Sequence, residues 1–298
     1  MRESWLVTGA LGCLGAWTCT LLAREEARVT GLDLGTDDAR LRLIAVESER
    51  ERITLVHGDI TDSETLARVL DEHEITHIVH LAALQVPFCK ADPALGARVN
   101  VQGTVNVFEA AKGQIATTLA YASSAAVYDT AGNIAPQTLY GVYKLANEGT
   151  ARVYWADDRV ASAGLRPFCV YGPGRDQGLT AAPTLAIAAA VRGEPHTIPF
   201  GGRTQLHFAP DVARAFVAAA RSTPEEARVY NLGGPAVAIA DFVALVGREL
   251  PGAAIGHDDR PLPFPEMLPA PHFDLEQTPL AEGVGQTIQT FRRTAVPS

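Results

Sequence analysis

The chain has 298 residues, of which 47% are hydrophobic and 20% charged, and 34 Asp and Glu against 25 Lys and Arg give a net charge of −9. An acidic balance with no Lys/Arg run argues against nucleic acid as a partner. The longest apolar stretch, LTAAPTLAIAAAV (179–191), is too short and too alanine-rich to span a bilayer, so no membrane partner is expected. SWLVTG (4–9), ARVTGLD (27–33), RITLVHGD (52–59) and THIVHLAA (76–83) read as strands, with helices over 13–24, 37–48 and 63–73 between them. Near-continuous apolar strands alternating with helices predict a parallel sheet covered on both faces, a Rossmann-type doubly wound α/β fold. A helix near 92–112, a strand at 117–124, a helix from Tyr140 to Trp155 and a strand at 160–168 continue it. Beyond Tyr171 the texture changes to a Gly/Pro loop, YGPGRDQG (171–178), and the run RPLPFPEMLPAPHF (260–273) reads as irregular throughout. The expected organisation is a doubly wound domain over 1–170. Residues 171–298 then form mainly a small substrate-binding cap, with some segments returning to the core.

The start MRESWLVTGA lacks a charged region ahead of a long apolar core, so no secretion signal is expected. Cys13, Cys19, Cys89 and Cys169 show no C-x-x-C spacing. Reduced, buried thiols and a cytoplasmic location follow. The dispersed histidines lack metal-ligand spacing, and no metal is expected.

Gly9, Gly12 and Gly15 fall between the first strand and the first helix. Glycine there allows a tight turn and close approach to a pyrophosphate, while the helix N-terminus supplies free N–H groups and a positive dipole. Asp33 ends the second strand, where a carboxylate can hold both ribose hydroxyls and repel a 2′-phosphate, favouring NAD over NADP. The other reading of Asp33 is a cap on the following turn. Asp59 and Ile60, at the end of the third strand, are placed to flank the adenine, and Asp62 is a helix cap.

Six pieces in order, TGALGCLG, HLAA, VNVQGTVNVFEAA, YASSAAVY, YGVYK and RPFCVYGPGR, span residues 8 to 175. Together they resemble the extended, sugar-active branch of the short-chain dehydrogenase/reductase superfamily (the NAD-dependent epimerase/dehydratase family). Tyr140 and Lys144 stand four apart and share a helix face. A free phenol near pKa 10 is a poor base at neutral pH, and a neighbouring ammonium and an oxidised nicotinamide would pull it down. The resemblance makes Tyr140 the proton acceptor, Ser124 the hydrogen-bond partner of the reacting oxygen and Lys144 the holder of the nicotinamide ribose. It assigns Leu14, Leu81, Ala82, Ala83 and Pro167 to the cofactor as well. Asn100 supports the active-site backbone beside the cofactor, and His80 is expected to be buried and hydrogen-bonded.

Departures from the family pattern bear on the substrate. The Thr-Asp-Glu of 4,6-dehydratases is replaced by SSAAVY (123–128), which argues against dehydration. The asparagine that contacts a nucleotide diphosphate is Cys169, and the diphosphate arginine aligns with Thr204, leaving Arg203 one residue off. Gln85, Ser123, Ser124, Tyr140, Cys169, Arg175, Arg203 and His207 are the expected substrate contacts, with Arg175, Arg203 and His207 available to a carboxylate or phosphate. The expected function is hydride exchange between NAD and a small sugar, sugar acid or similar polar alcohol. A UDP-sugar epimerase with tightly bound NAD is the alternative, and a nucleotide-sensing protein without turnover is a third reading. The resemblance also implies a homodimer formed through two long helices of the catalytic domain.

Overall fold

The computed structural model describes residues 3–112, 118–222, 226–274 and 276–295. In the first third β1 (Ser4–Thr8), β2 (Arg28–Asp33), β3 (Ile53–His57) and β4 (His77–His80) alternate with α1 (Cys13–Arg24), α2 (Ala39–Ile44), α3 (Glu47–Arg50) and α4 (Ser63–Glu72). All five residues of β1 are buried, as a strand covered on both faces requires. Asp62 caps α4, its carboxylate accepting from the N–H groups of Glu64 and Thr65. The helix expected over 37–48 is two short ones, because Ala45 and Val46 are extended and Glu49 accepts the Val46 N–H to start a new turn.

The helix expected over 92–112 is also divided. After an unanticipated α5 (Val86–Ala91), α6 (Pro93–Ala97) runs into a π-helical turn at Arg98–Gln102 and then α7 (Gly103–Lys112). Asn100 sits in that wide turn. Its carbonyl accepts from the side chains of Thr104 and Asn147, at 2.8 and 2.9 Å. β5 (Thr118–Ala122), α8 (Leu139–Asp158) and β6 (Ser162–Arg166) follow; Thr117, in the strand expected over 117–124, lies outside the described residues.

The remainder is split between two layers. β7 (Cys169–Tyr171), β9 (Arg203–Phe208) and β11 (Ala236–Ala238) form a three-stranded sheet, and β8 (His196–Ile198) pairs with β12 (Ile255–His257). With α9 (Ala182–Arg192) and α11 (Ile239–Glu249) they enclose a second core around Tyr171, Ile187, Phe200, Phe208 and Phe242. α10 (Ala209–Arg221) instead packs Val212 and Phe216 into the core beneath the main sheet. β10 (Ala227–Leu232) and β13 (His272–Phe273) extend that sheet, and α12 (Leu280–Ala295) ends the described chain. The last two residues of the proline run are thus a strand, not irregular. They follow its final proline, Pro271, so their N–H groups are free to pair, and Pro271 O takes the Asn231 N–H at 3.0 Å.

The main sheet is parallel throughout in the order β13-β10-β6-β5-β4-β1-β2-β3. The order reverses between β1 and β4, so their connections leave on opposite faces and open a crevice above the strands' carboxyl ends. No helix among the described residues is long and apolar enough to cross a membrane.

Candidate active site

A cleft of about 990 Å³ occupies that crevice. At its floor Gly9 has φ +69° and donates its N–H to Leu32 O at 2.9 Å. A Cβ on Gly15 would come within 2.0 Å of Gly9 O, so the turn folds under α1 only with glycine there. Gly12 is the N-cap of α1 and no side chain caps that end. The first-turn N–H groups, Leu14 among them, are therefore available to an anion. Asp33 accepts from Leu11 N at 2.9 Å through Oδ2 and from Gly35 N at 2.8 Å through Oδ1. Both readings of this residue meet here, because a carboxylate with about four acceptor sites keeps room for ribose hydroxyls beside those two bonds. Asp59, Ile60, Leu81, Ala82, Ala83 and Pro167 line the same cleft. Asp59 is braced by Thr61, whose N–H and hydroxyl it accepts at 2.8 and 2.9 Å. These residues fit a dinucleotide.

At the other end α8 brings Tyr140 and Lys144 to one face, with Lys144 Nζ 5.5 Å from the Tyr140 ring centre. Lys144 is 3% exposed and donates to Ala122 O at 2.7 Å. Burial pulls its pKa down to about 8. Ser124 follows β5, accepts Ala126 N–H at 3.1 Å and lines the cleft with Tyr140. The phenol's pKa differs from the sequence-based expectation. Desolvation dominates and raises it, against the Ser124 hydroxyl and the Arg175 charge, which lower it. Lys144 has turned its ammonium to Ala122 O, so in this state it does not supply the lowering expected of it.

Gly141, which the sequence reading passed over, makes this approach possible. A Cβ there would meet Ala126 O at 2.1 Å, so glycine lets the first turn of α8 lie on the turn after Ser124. Thr138 caps the helix by accepting the Gly141 N–H. The only sign in the sequence was a glycine directly after the candidate tyrosine.

Gln85 and Arg175 line the cleft, while the side chains of Ser123, Cys169, Arg203 and His207 are engaged elsewhere. Asn100 is buried. Its side chain clamps Leu84 N and O at 2.7 and 2.9 Å, so it acts on the site through backbone. Ser123 borders the cleft, yet its hydroxyl donates to Glu148 Oε1 at 2.5 Å, into a buried pair between Glu148 and Arg166. On β7 alternate residues face opposite ways. Val170 meets the cleft, while buried Cys169 points its thiol at Thr180 O, 3.5 Å away. Arg203 starts β9 on the cap surface, bonded to Ala236 O at 2.6 Å with Glu266 at 4.0 Å. His207 accepts Phe168 N–H at 3.1 Å in the second core, and burial lowers its pKa to about 4, leaving it neutral. His80 is buried between Thr8 and Thr104 as expected.

The sequence reading also missed Arg40. Its Nε and Nη2 hold the Asp176 carboxylate at 3.0 and 2.8 Å while Nη1 donates to Leu11 O at 3.1 Å. Trp17 Nε1 donates to Pro173 O at 2.9 Å. Loop 171–178 is thereby strapped across the cleft to the glycine turn.

A doubly wound sheet with a glycine cradle under a Ser–Tyr–Lys set defines a nicotinamide-dependent enzyme of the short-chain type. Residues 5–233 match the NAD dependent epimerase/dehydratase family, and the chain belongs to it; its cofactor is NAD. UDP-glucuronate 4-epimerase 5 of Arabidopsis thaliana is 33% identical over 182 residues, 56% of this chain and 42% of the plant protein. The chain thus spans less than half the length of that relative. UDP-glucose 4-epimerase of Mycolicibacterium smegmatis is 28% identical over 96% of this chain and 98% of its own. Two solved structures share the fold. The UDP-glucose 4-epimerase of Thermus thermophilus in complex with NAD superposes with a TM-score of 0.81, 24% identity, and coverage of 99% of this chain and all of that one. A GalE-like L-threonine dehydrogenase from Cupriavidus necator gives 0.85, 22%, 96% and 99%.

Proposed function

We propose that this enzyme is an oxidoreductase exchanging hydride with a small sugar, sugar acid or similar polar alcohol. When bound, NAD supplies the hydride acceptor or donor. Tyr140 takes the proton of the reacting hydroxyl, and Ser124 Oγ hydrogen-bonds the same oxygen and orients it. Lys144, within reach of the phenol, stabilises the phenolate once it turns from Ala122 O, and holds the ribose side of the site. The convergence of Ser124, Tyr140 and Lys144 on the cleft, with Lys144 Nζ 5.5 Å from the Tyr140 ring centre, carries this assignment. Dehydrogenation is preferred over epimerisation because the positions that anchor a nucleotide diphosphate are not there to do so: Cys169 and Arg203 both point elsewhere. The test is a panel of aldoses, aldonates, uronates and UDP-sugars with NAD, followed by NADH absorbance. Net NADH from a free sugar or acid supports the reading, and a UDP-sugar epimer formed without net NADH overturns it.

A second reading, a UDP-sugar 4-epimerase with retained NAD, is favoured by the full-length alignment with the mycobacterial relative. We also propose a homodimer through α8, whose outer face leaves Leu139, Val142 and Val153 42%, 46% and 57% exposed. Val142→Glu with Val153→Glu should convert the dimer to monomer in a sedimentation experiment. A wild type that sediments as a monomer at micromolar concentration ends that proposal. Four free thiols, three of them buried, support a reducing, cytoplasmic setting.

A further inference from the structure

Three cations line the cleft, and two are engaged. Arg40 is held by Asp176, and Lys144 donates to Ala122 O. Arg175 has no carboxylate within ion-pair distance among the described residues. Its one side-chain hydrogen bond is from Nη2 to Thr180 Oγ1 at 2.9 Å, and its buried Nε has no partner. A guanidinium has five N–H donors in a planar fork, and leaving a buried one unmet is costly. The residue is held in place. Arg175 N donates to Gly172 O at 3.1 Å, and the flanking Pro173 and Asp176 are tied to Trp17 and Arg40. Gln85 belongs to the same spot. The position a Cβ on Gly178 would take lies 2.9 Å from Gln85 Oε1 and 3.8 Å from Arg175 Nη2. The guanidinium also acts electrostatically on the Tyr140 phenol, so an anion on Arg175 and a hydroxyl on Tyr140 can belong to one small molecule.

We infer that Arg175, with Thr180 and Gln85 beside it, is the recognition site for a substrate carboxylate, making the substrate a small hydroxy acid of the uronate or aldonate kind. The inference rests on the oxidoreductase reading above. A fork with free N–H groups matches a single planar carboxylate. A nucleotide diphosphate spreads two charges and calls for a second cation, and Arg203, the nearest sequence candidate, faces the cap surface instead. The far wall is apolar, with Phe168 and Phe264 edge to face at 5.7 Å, which leaves Arg175 as the charged end of the substrate space.

The test uses NAD-loaded enzyme and malonate, a carboxylate with no hydroxyl to oxidise, titrated by calorimetry into wild type, Arg175→Gln and Arg175→Lys. Arg175→Gln should weaken malonate binding by about 10- to 100-fold, and Arg175→Lys should recover part of it. In turnover, wild type should prefer a uronate or aldonate to the neutral aldose of the same configuration. Arg175→Gln should raise KM for the acid far more than it lowers kcat. Unchanged malonate affinity in Arg175→Gln overturns the inference, as does a wild type that turns over neutral aldoses as readily as the acids. Tight UDP binding that disappears in Arg175→Gln, with no malonate binding by wild type, reassigns the arginine to a diphosphate and overturns it too. Malonate binding that depends on Arg175, without oxidation of any acid, leaves the carboxylate site standing and sinks the oxidoreductase reading alone.

Discussion

Tyr140 and Tyr143 are three residues apart on α8 and have separate fates. Tyr143 donates its hydroxyl to Pro93 O at 2.9 Å and braces α6, while Tyr140 lines the cleft with Ser124. Tyr140→Phe should lower kcat by about 10²–10⁴-fold, the usual worth of a positioned proton acceptor. Tyr143→Phe should cost about 1 kcal/mol of stability and keep kcat, since it loses one ordinary hydrogen bond; steady-state kinetics beside urea titration separates the two. Lys144 makes a second prediction. Unfolded, it holds its proton to its ordinary value of 10.5; folded, it gives it up near 8. The burial cost is thus fully present below about pH 8 and disappears as pH rises towards 10.5. Across that window wild type should gain roughly 3 kcal/mol on Lys144→Met, measured with Cys89→Ala in both proteins because the Cys89 thiol is coupled to this ammonium. Urea midpoints that stay parallel between pH 8 and 10.5 would refute this.

At the level of elements, what could be read from sequence was local. The glycine turn, the acid ending β2 and the Tyr–Lys pair lie within single strand–helix units, whose spacing puts each side chain on a known face. Arg203 and His207 were misplaced because their direction depends on how β9 sits between β7 and β11, a tertiary fact with no local period. The bond between Arg40 and Asp176 joins residues 136 apart and left no trace in either neighbourhood. That strap has its own consequence. It ties loop 171–178 to the floor of the NAD cleft, so releasing it should ease cofactor escape. The pair is partly exposed and worth up to about 1 kcal/mol. Asp176→Asn should therefore speed NAD dissociation about 3- to 5-fold in stopped flow, with the difference shrinking at high salt. An unchanged rate at low salt would show that the strap does not gate the cofactor.

Over the whole molecule, the alternation of strands and helices conveyed the doubly wound sheet, because buried parallel strands announce themselves as apolar runs. It could not convey where residues beyond 171 go. Their strands are two to six residues long, and the same stretch of chain feeds both layers. β10 lies against β6, whose five residues are all buried, and α10 covers that side of the sheet from below. The nucleotide-binding half therefore does not end where its motifs end. Cut after Tyr171, the chain would keep its glycine turn, Ser124, Tyr140 and Lys144, yet present Ser162–Arg166 as an open margin of backbone donors and acceptors. Such a margin recruits other chains. A fragment of residues 1–171 should aggregate on expression, while supplying 205–274 in trans should restore material that stays in solution. A well-behaved monomeric 1–171 fragment would contradict this. β10, with β13 outside it, is thus both part of the sheet and a clasp on its first half. New substrate specificities can enter this architecture by rewriting loops, but not by exchanging its second half as a unit.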